Sequence, residues 1–413
     1  MIDEKDFVVL DSCVACGNHE LIPTLNLGNQ PLANSYTKEE DEILPEFPLM
    51  INRCSNCNHI QLSVAVNPDL MFKDYLYVSG TSKTLIDYFK WFADFTSEYY
   101  NNIFNQQELS VLDIGSNDGS MLDAFKNLGI TTQGIDPAEN LYEESSKKHN
   151  TICGYFDEST LPKLNSNANI ITAQNVFAHN YDPLNFMKNV ATIMKNNSLF
   201  FVQTSQANMI LNNEFDTIYH EHISFYNIKS MKELCDRAGL FLIDVIKSPI
   251  HGTSYIFIIA KDEILKRSAN IENLIKLEEI AGLYSEKTYE DYKNKCLDFK
   301  NNINSSVAEY RENGYKIIGY GAAAKGNTLL NFANLELDYI IDDNKLKQNY
   351  FTPGMSIKIV SIDILDTYSS SDKILFIPLA WNFFTEIKSK IKSKRDNQFD
   401  DFLLYFPTIL ISK

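Results

Sequence analysis

Residues Ser110 to Ser120 read SVLDIGSNDGS, and this stretch decides the fold of the central part of the chain. An apolar run ends in the pattern D-x-G-x-N-x-G, which begins at Asp113 and is followed by the helix-like stretch MLDAFKNLG. A strand that feeds a glycine-rich turn and then a helix lets the backbone approach a ligand closely. The spacing differs from the G-x-G-x-x-G of dinucleotide-binding domains, but an NAD-binding Rossmann domain stays open as the competing interpretation.

More strand-like runs alternate with helical stretches on the carboxyl side of this turn. They read TTQGIDP, ANIITAQN, SLFFVQTS, LFLIDVIKS and TSYIFIIAK. Only SPIHG separates the last two, which leaves no room for a helix between them. The pattern predicts an α/β fold with a doubly wound sheet whose final strand inserts antiparallel.

Two other segments flank this region. Residues 1–72 carry two pairs of cysteines, and residues 73–262 form the central domain. Apolar residues recur at helical spacing over 265–312, and a second alternation follows as YKIIGYGAAAKG, LDYIIDDN, KILFIPLAWN and FDDFLLYFP. We therefore predict a third domain over 263–413, a smaller α/β domain of Rossmann-like type.

Composition narrows the class of partner. The chain has 413 residues and a formal net charge of -17, and an acidic surface repels the phosphates of nucleic acids. The acidic start MIDEKDF lacks the order of a secretory signal, and no apolar run has the length of a membrane span. We expect a cytoplasmic protein, monomeric, that binds neither nucleic acid nor membranes.

Four of the seven cysteines form two C-x-x-C pairs, Cys13 with Cys16 and Cys54 with Cys57. Such pairs supply the four thiolates of a tetrahedral zinc site, and a full thiolate shell indicates a structural rather than a catalytic ion. The alternative is a set of unrelated buried cysteines.

The glycine-rich turn resembles motif I of class I methyltransferases, which bind S-adenosylmethionine (AdoMet). The resemblance implies that Gly115 and Gly119 pass beside the methionyl portion. An acidic residue at Asp136, about 20 residues beyond the turn, can accept both ribose hydroxyls. The predicted cofactor residues are Asp113, Gly115, Ser116, Asn117, Gly119, Asp136, Pro137, Phe156, Asp157, Gln174 and Asn175.

A dense polar segment, FDTIYHEHISFY, runs from Phe215 to Tyr226 after the fifth strand. Histidine is the side chain best matched to proton transfer near neutral pH, and a nearby Glu or Tyr can orient it. Metal binding and plain structural packing remain open for this segment. Further polar candidates are His179, His251, Tyr75 and Tyr77.

Motifs along the whole chain resemble the sugar C-methyltransferases that act on nucleotide-linked 4-keto-deoxysugars. They are the C-x-x-C pairs, LGNQPLAN from Leu27, DIGSNDG, NVFAHNYD, DTIYHEHISFY, YGAAAKGNTLLN from Tyr320, IDDNKLKQNYFTPG from Ile341 and AWNFFTEI from Ala380. The chain departs from the family at Gln203, where many relatives have an acidic residue, and at Thr253, where glycine is common.

The resemblance implies a zinc domain, an AdoMet domain and a C-terminal domain that closes over the nucleotide sugar. It implies that His222 removes the proton next to the keto group, and that the enolate takes the methyl group of AdoMet. Tyr219, Glu221, His179 and Tyr75 or Tyr77 would position the sugar or stabilise the enolate. Substrate contacts would come from His251, Gly321, Lys325 and Asn382, with Lys325 on the diphosphate or, equally, a solvated surface lysine.

Two other functions stay open from the sequence. One is O- or N-methylation of a nucleotide sugar with the same cofactor, which proton exchange next to the ketone would distinguish. The other is a non-catalytic binding module that uses the zinc domain as a partner surface, which the intact YHEH cluster disfavours.

Overall fold

The computed structural model of the protein describes residues 6–73, 78–81, 83–164, 167–249, 254–265 and 268–413. Within these residues the strands form four β-sheets, which have two, seven, four and six strands. No helix of this described part is long and apolar enough to cross a membrane.

The N-terminal part is built on an antiparallel hairpin. Its strands are β1 (Phe7–Val9), β2 (Leu21–Pro31), β3 (Glu46–Cys54), β4 (Ile60–Leu62) and β5 (Val64–Val66), and the short helix α1 (Asp69–Phe72) follows them. The side chains of Leu25 and Leu27 are buried on one face of β2, because residues two apart in a strand point the same way. β2, β3 and β4 pair antiparallel in that order, while β1 pairs with β5.

The central sheet has seven strands in the order β12-β13-β10-β9-β6-β7-β8. These strands are β6 (Ser110–Ile114), β7 (Thr131–Asp136), β8 (Asn150–Cys153), β9 (Ile170–Gln174), β10 (Leu199–Thr204), β12 (Phe241–Lys247) and β13 (Tyr255–Ala260). The short strand β11 (Ser224–Phe225) lies between β10 and β12 in the chain but belongs to another sheet. The five strands from β8 to β10 are parallel, and β13 enters antiparallel between β10 and β12. The prediction of an inserted antiparallel final strand is confirmed.

Helices cover both faces of this sheet, so its middle strands are apolar on both sides. Every residue of β10, LFFVQT, is buried. The helices are α2 (Lys83–Phe104), α3 (Ser120–Asn127), α4 (Glu139–Ser146), α5 (Pro183–Ile193) and α7 (Ile228–Ala238). Two separate apolar cores result, one on each face of the sheet. The short helix α6 (Met209–Asn212) instead buries Met209 and Ile210 in a separate core.

The helical region predicted over 265–312 consists of two helices, α8 (Ser268–Ile280) and α9 (Glu286–Glu312). They are separated at Gly282, whose φ of +85° is a left-handed conformation that favours glycine and ends the first helix.

The C-terminal sheet has six strands in the order β16-β15-β14-β17-β18-β19. The strands and helices are β14 (Tyr315–Tyr320), α10 (Ala324–Ala333), β15 (Tyr339–Ile341), β16 (Ile359–Val360), β17 (Lys373–Pro378), α11 (Phe384–Lys394), β18 (Asp401–Leu404) and β19 (Leu410–Ser412). All neighbours are parallel except β18 and β19. The four strands predicted here are present, and β16 and β19 are additional.

The three parts share one apolar core. The strand β11, just after the YHEH segment, pairs antiparallel with β4 and becomes the edge of the N-terminal sheet. Ile51 of β3, Ile218 and Leu329 of α10 belong to the same buried cluster. The YHEH segment is therefore held between the N-terminal sheet and the C-terminal domain.

Candidate active site

A cavity of about 890 Å³ opens at the carboxyl ends of β6, β7 and β9. Ligands bind at this edge in open α/β sheets. Most predicted site residues line the cavity: Asp113, Gly115, Ser116, Asn117, Asp136, Pro137, Phe156, Asp157, Gln174, Asn175, His179, Tyr219, Glu221, His222, Lys325 and Asn382. Gly119 and Gly321 are not among its lining residues, and Tyr75, Tyr77 and His251 lie outside the described residues.

The turn after β6 requires glycine at position 115. Gly115 has a φ of +79°, and a Cβ there would overlap the Val176 side chain. Gly119, in contrast, begins α3 with a φ of +81° beside His149. Gly119 turns the chain into the helix, and its position beside the methionyl portion stays a prediction of the resemblance.

Asp136 at the end of β7 holds the glycine-rich turn. Its carboxylate accepts hydrogen bonds from the backbone N–H groups of Asn117 and Ala138, both at 2.8 Å. Burial raises the pKa of this carboxyl group above its usual range. Each oxygen keeps a second lone pair that can accept from a ligand hydroxyl.

Polar atoms without a partner mark the inner wall of the cavity. Among the described residues, Ser116 Oγ and Gln174 Nε2 are buried and make no hydrogen bond. Buried polar groups are normally paired, so these two fit a ligand that carries its own donors and acceptors. Asp113 beside them accepts a hydrogen bond from Thr172 at 2.8 Å, and burial raises its pKa to about 8.

His222 forms a dyad with Tyr219 across the cavity wall. Its Nδ1 lies 2.9 Å from the carbonyl oxygen of Thr217, and its Nε2 lies 2.8 Å from the Tyr219 hydroxyl. A carbonyl oxygen only accepts, so Nδ1 carries the proton in this arrangement and Nε2 accepts from the hydroxyl. The ring therefore holds its basic nitrogen at the Tyr219 hydroxyl, and both residues line the cavity.

His179 stacks on the dyad. Its ring lies 5.4 Å from the ring of His222 and 5.4 Å from that of Phe72. Burial lowers the pKa of His179 to about 4, so this ring is neutral near pH 7. A neutral ring leaves His222 free to take up a proton without a neighbouring positive charge.

The two histidines of the HEH sequence face different surroundings. His220 is buried, its Nε2 lies 3.2 Å from the Phe47 carbonyl oxygen, and burial lowers its pKa to about 4. Because His220 contacts β3, the interpretation as plain structural packing applies to this histidine. Glu221 accepts a hydrogen bond from the amide of Asn34, at 2.5 Å.

The four predicted zinc ligands come together. The Sγ atoms of Cys13 and Cys57 are 3.6 Å apart, those of Cys16 and Cys54 are 3.5 Å apart, and all four lie within 4.8 Å of one another. A tetrahedral zinc–thiolate site with bonds of about 2.3 Å has sulfur–sulfur edges of about 3.8 Å. In the described part of the chain, this is the one group of three or more His, Cys, Asp or Glu side chains that could hold a metal, so HEH is not a second.

Comparison with known proteins gives a consistent result along the chain. A family model described as "Putative zinc binding domain" matches residues 13–72, a methyltransferase domain matches 88–245, and a C-methyltransferase C-terminal domain matches 249–407. The C-methyltransferase NovU of Streptomyces niveus is 28% identical over 401 residues, which cover 94% of each chain. Together these matches indicate an AdoMet-dependent C-methyltransferase.

Solved methyltransferase structures resemble part of this C-methyltransferase. The plantazolicin methyltransferase BpumL in complex with SAH is 18% identical, covers 44% of this chain and 86% of its own, and has a TM-score of 0.36. An S-adenosylmethionine-dependent methyltransferase from Clostridium acetobutylicum is 12% identical over 42% of this chain and 92% of its own, with a TM-score of 0.35. These scores are low, and the assignment does not depend on them.

The outer wall of the methyltransferase cavity comes from the C-terminal domain. Lys325 at the start of α10 lines it, with its ammonium 4.0 Å from a Glu214 carboxylate oxygen and 5.2 Å from the centre of the Trp381 ring. Lys325 is thus a cavity residue rather than a free surface lysine. Gly321 lies behind this wall, where a Cβ would meet Ala380.

Sequence reasoning missed several residues of the methyltransferase site. Asn34, Trp381, Asn344 and Lys347 all line the cavity. All four lie inside three of the motifs that carried the family resemblance: Asn34 in LGNQPLAN, Trp381 in AWNFFTEI, and Asn344 and Lys347 in IDDNKLKQNYFTPG. The motifs were the available signal, but they did not show which of their side chains face the cavity.

Proposed function

We propose that this C-methyltransferase methylates the carbon next to the keto group of a nucleotide-linked 4-keto-deoxysugar. One observation carries the proposal: the glycine-rich cofactor turn and the Tyr219–His222 dyad open into the same cavity. Transfer of a methyl group to carbon requires a carbanion equivalent, and a base beside the cofactor supplies the means to make one.

The size and walls of the cavity support a substrate with a nucleotide attached. Its volume of about 890 Å³ is near the upper end of the range of about 300–1,000 Å³ for small-molecule sites, as expected for a cavity that holds two ligands. The N-terminal end of α10 borders it, and a helix N-terminus with a lysine beside it favours a diphosphate.

His222 is the proposed base. Its Nε2 takes the proton from the sugar carbon, and the electron pair moves onto the ketone oxygen to give an enolate. The bond from Nδ1 to the Thr217 carbonyl oxygen fixes the ring and stabilises the imidazolium that forms. The neutral His179 at 5.4 Å adds no charge that would oppose this step.

Tyr219 has the complementary role. Its hydroxyl donates to His222 Nε2 at 2.8 Å before reaction. The hydroxyl turns from the single lone pair of Nε2 to the ketone oxygen as substrate binds, so that Nε2 can take up the substrate proton while the hydroxyl donates to the oxygen that becomes negative. A donor that stabilises a developing oxyanion commonly contributes about 10²–10³ in rate.

The cofactor surface consists of the turn at Gly115, the Asp136 carboxylate and the unpaired polar atoms of Ser116 and Gln174. In the proposed complex Asp136 accepts from the ribose, while Ser116 and Gln174 contact other polar groups of the cofactor. When bound there, AdoMet would supply an electrophilic methyl group to the enolate carbon, with S-adenosylhomocysteine as the leaving group.

The test is a set of reactions in deuterated water. Purified protein is incubated with 4-keto-6-deoxy nucleotide sugars, with and without AdoMet, and followed by mass spectrometry and proton NMR. We expect deuterium next to the ketone without AdoMet, and a methyl group on that carbon with it. His222→Ala should abolish both products.

His19→Ala is the matched control, because His19 is an exposed histidine outside the set that lines the cavity. This variant should behave as the parent does. A methyl group on oxygen or nitrogen would contradict the enolate mechanism, and full exchange in His222→Ala would contradict the assignment of the base.

A further inference from the structure

The buried carboxylate of Asp216 joins the segment of the dyad to the C-terminal domain. Its Oδ2 atom accepts a hydrogen bond from Trp381 Nε1 at 2.7 Å and one from the Tyr405 hydroxyl at 2.8 Å. Asp216 is only 1% exposed. Two donors from one domain therefore meet one oxygen of an almost fully buried carboxylate of the other.

The segment is tied a second time two residues later. The Thr328 hydroxyl of α10 donates to the carbonyl oxygen of Ile218 at 3.0 Å. Thr217 lies between these two ties, and its own carbonyl oxygen lies 2.9 Å from Nδ1 of His222. The backbone that orients His222 is thus fixed on both sides by the C-terminal domain.

Trp381, one of the two donors to Asp216, is part of the cavity wall. Trp381 begins the short 3-10 helix Trp381–Phe383 after β17 and lines the cavity. Its indole packs against Phe406, with ring centres 4.1 Å apart, and faces the Lys325 ammonium. A hydrogen bond at Nε1 fixes the rotation of this ring, so Asp216 also sets the surface that Lys325 and Trp381 offer to a substrate.

We infer that Asp216 is a positioning residue that couples the substrate-facing wall of the C-terminal domain, through Trp381, to the orientation of His222. The inference rests on the proposed function and names a residue that touches neither substrate nor cofactor. Substrate bound against Trp381 and Lys325 stabilises the ring orientation that Asp216 requires, and the same carboxylate steadies the carbonyl group that holds His222.

The first measurement tests the hydrogen bond between Asp216 and Trp381 in the absence of substrate. The chain has two tryptophans, so Trp91→Phe leaves Trp381 as the sole tryptophan, whose emission is read by exciting at a wavelength that tyrosine does not absorb. In that background we expect Asp216→Ala to raise the acrylamide quenching constant of Trp381 about twofold, because the ring loses its buried partner. Asp216→Asn keeps an accepting oxygen and should stay close to the background protein.

The second measurement is a double-mutant cycle on deuterium uptake next to the ketone, without AdoMet. Asp216→Ala and Trp381→Phe should each slow uptake about tenfold, and the double variant should be no more than about twofold slower than either. Trp381→Phe keeps an aromatic ring and removes the N–H donor. Asp216→Asn should recover most of the rate, which a merely structural defect would not allow.

Multiplicative losses in the double variant, or unchanged quenching in Asp216→Ala, would overturn the coupling while the parent enzyme still exchanges deuterium. A parent that exchanges no deuterium with any 4-keto sugar would instead overturn the proposed function. The two failures are therefore distinguishable.

Discussion

Asn34 and Glu221 are 187 residues apart in the sequence, yet the Asn34 amide donates to a Glu221 carboxylate oxygen at 2.5 Å. Asn34 follows β2 of the zinc-bearing part, and Glu221 lies between His220 and His222. Both line the cavity. The N-terminal domain therefore contributes directly to the surroundings of the dyad, and is more than a stable platform.

Substitution of Asn34 tests this contribution. Asn34→Leu removes a hydrogen bond to a carboxylate, and we expect kcat to fall about tenfold. Asn34→Asp sets two carboxylates against each other and should reduce kcat further, because like charges in contact disfavour ionisation. Initial rates with saturating substrates measure both effects. Asn29→Ala, at an exposed position of β2, is the control, and a parental rate in Asn34→Asp would refute the role.

Removal of the Tyr219 hydroxyl should separate proton removal from enolate stabilisation. Tyr219→Phe leaves the Nε2 lone pair of His222 but removes the donor for the oxyanion. We expect kcat to fall about 10²-fold with little change in AdoMet affinity. Initial rates give kcat, and isothermal titration calorimetry with AdoMet gives the affinity. A kcat within about twofold of the parent would remove Tyr219 from the mechanism.

Asp113 should make stability fall as pH rises. Its folded-state pKa is raised from 3.8 to about 8 by burial, so between these values the folded state binds more protons than the unfolded state. This contribution is complete below pH 3.8 and is lost as pH rises through about 8. Asp113→Asn should flatten the dependence and raise stability near pH 9 by about 2 kcal/mol.

Urea unfolding at several pH values measures that effect. Asp87→Asn, at an exposed position of α2, controls for a general change in charge. The prediction fails if the Asp113→Asn curve keeps the slope of the parent.

Zinc loss should affect the dyad as well as the N-terminal domain. Cys54→Ser removes one of the four thiolates, and we expect zinc to drop from about one ion per chain to nearly none. Because β4 of that domain pairs with β11, which follows the HEH sequence, methylation should fall in parallel. Elemental analysis and activity are measured on the same samples.

Cys153→Ser is the control, since Cys153 is exposed and is not part of the cluster. Retention of full activity by zinc-free Cys54→Ser would show that the sheet holds the segment without the metal.

The central sheet could be predicted because its strands follow strong local patterns. β6 and β10 are largely apolar runs next to clear turns, and their neighbours repeat this arrangement. β8 escaped prediction because, of its four residues NTIC, only Thr151 is buried. β11 has only two residues and is a strand solely because β4 pairs with it. Such elements depend on contacts that local sequence does not contain.

The candidate site could likewise be predicted only in part from the sequence. The predicted cofactor residues follow the ends of strands, and the order of these strands along the chain determines where the residues meet. The sequence could not show that His220 turns to Phe47 while His222 turns to the cavity, because both lie in an irregular segment without a period. Asp216 and Trp381 likewise look ordinary until folding brings them to 2.7 Å.

The pairing of β11 with β4 limits how such proteins can be recombined. A chimera that took its N-terminal domain from a relative would also exchange the strand partner of the YHEH segment and the amide that contacts Glu221. Domain exchange at this apparent boundary would thus alter the surroundings of the Tyr219–His222 dyad as well as the packing between the domains. New substrate ranges should arise by coordinated substitutions on both sides of this junction more readily than by domain exchange.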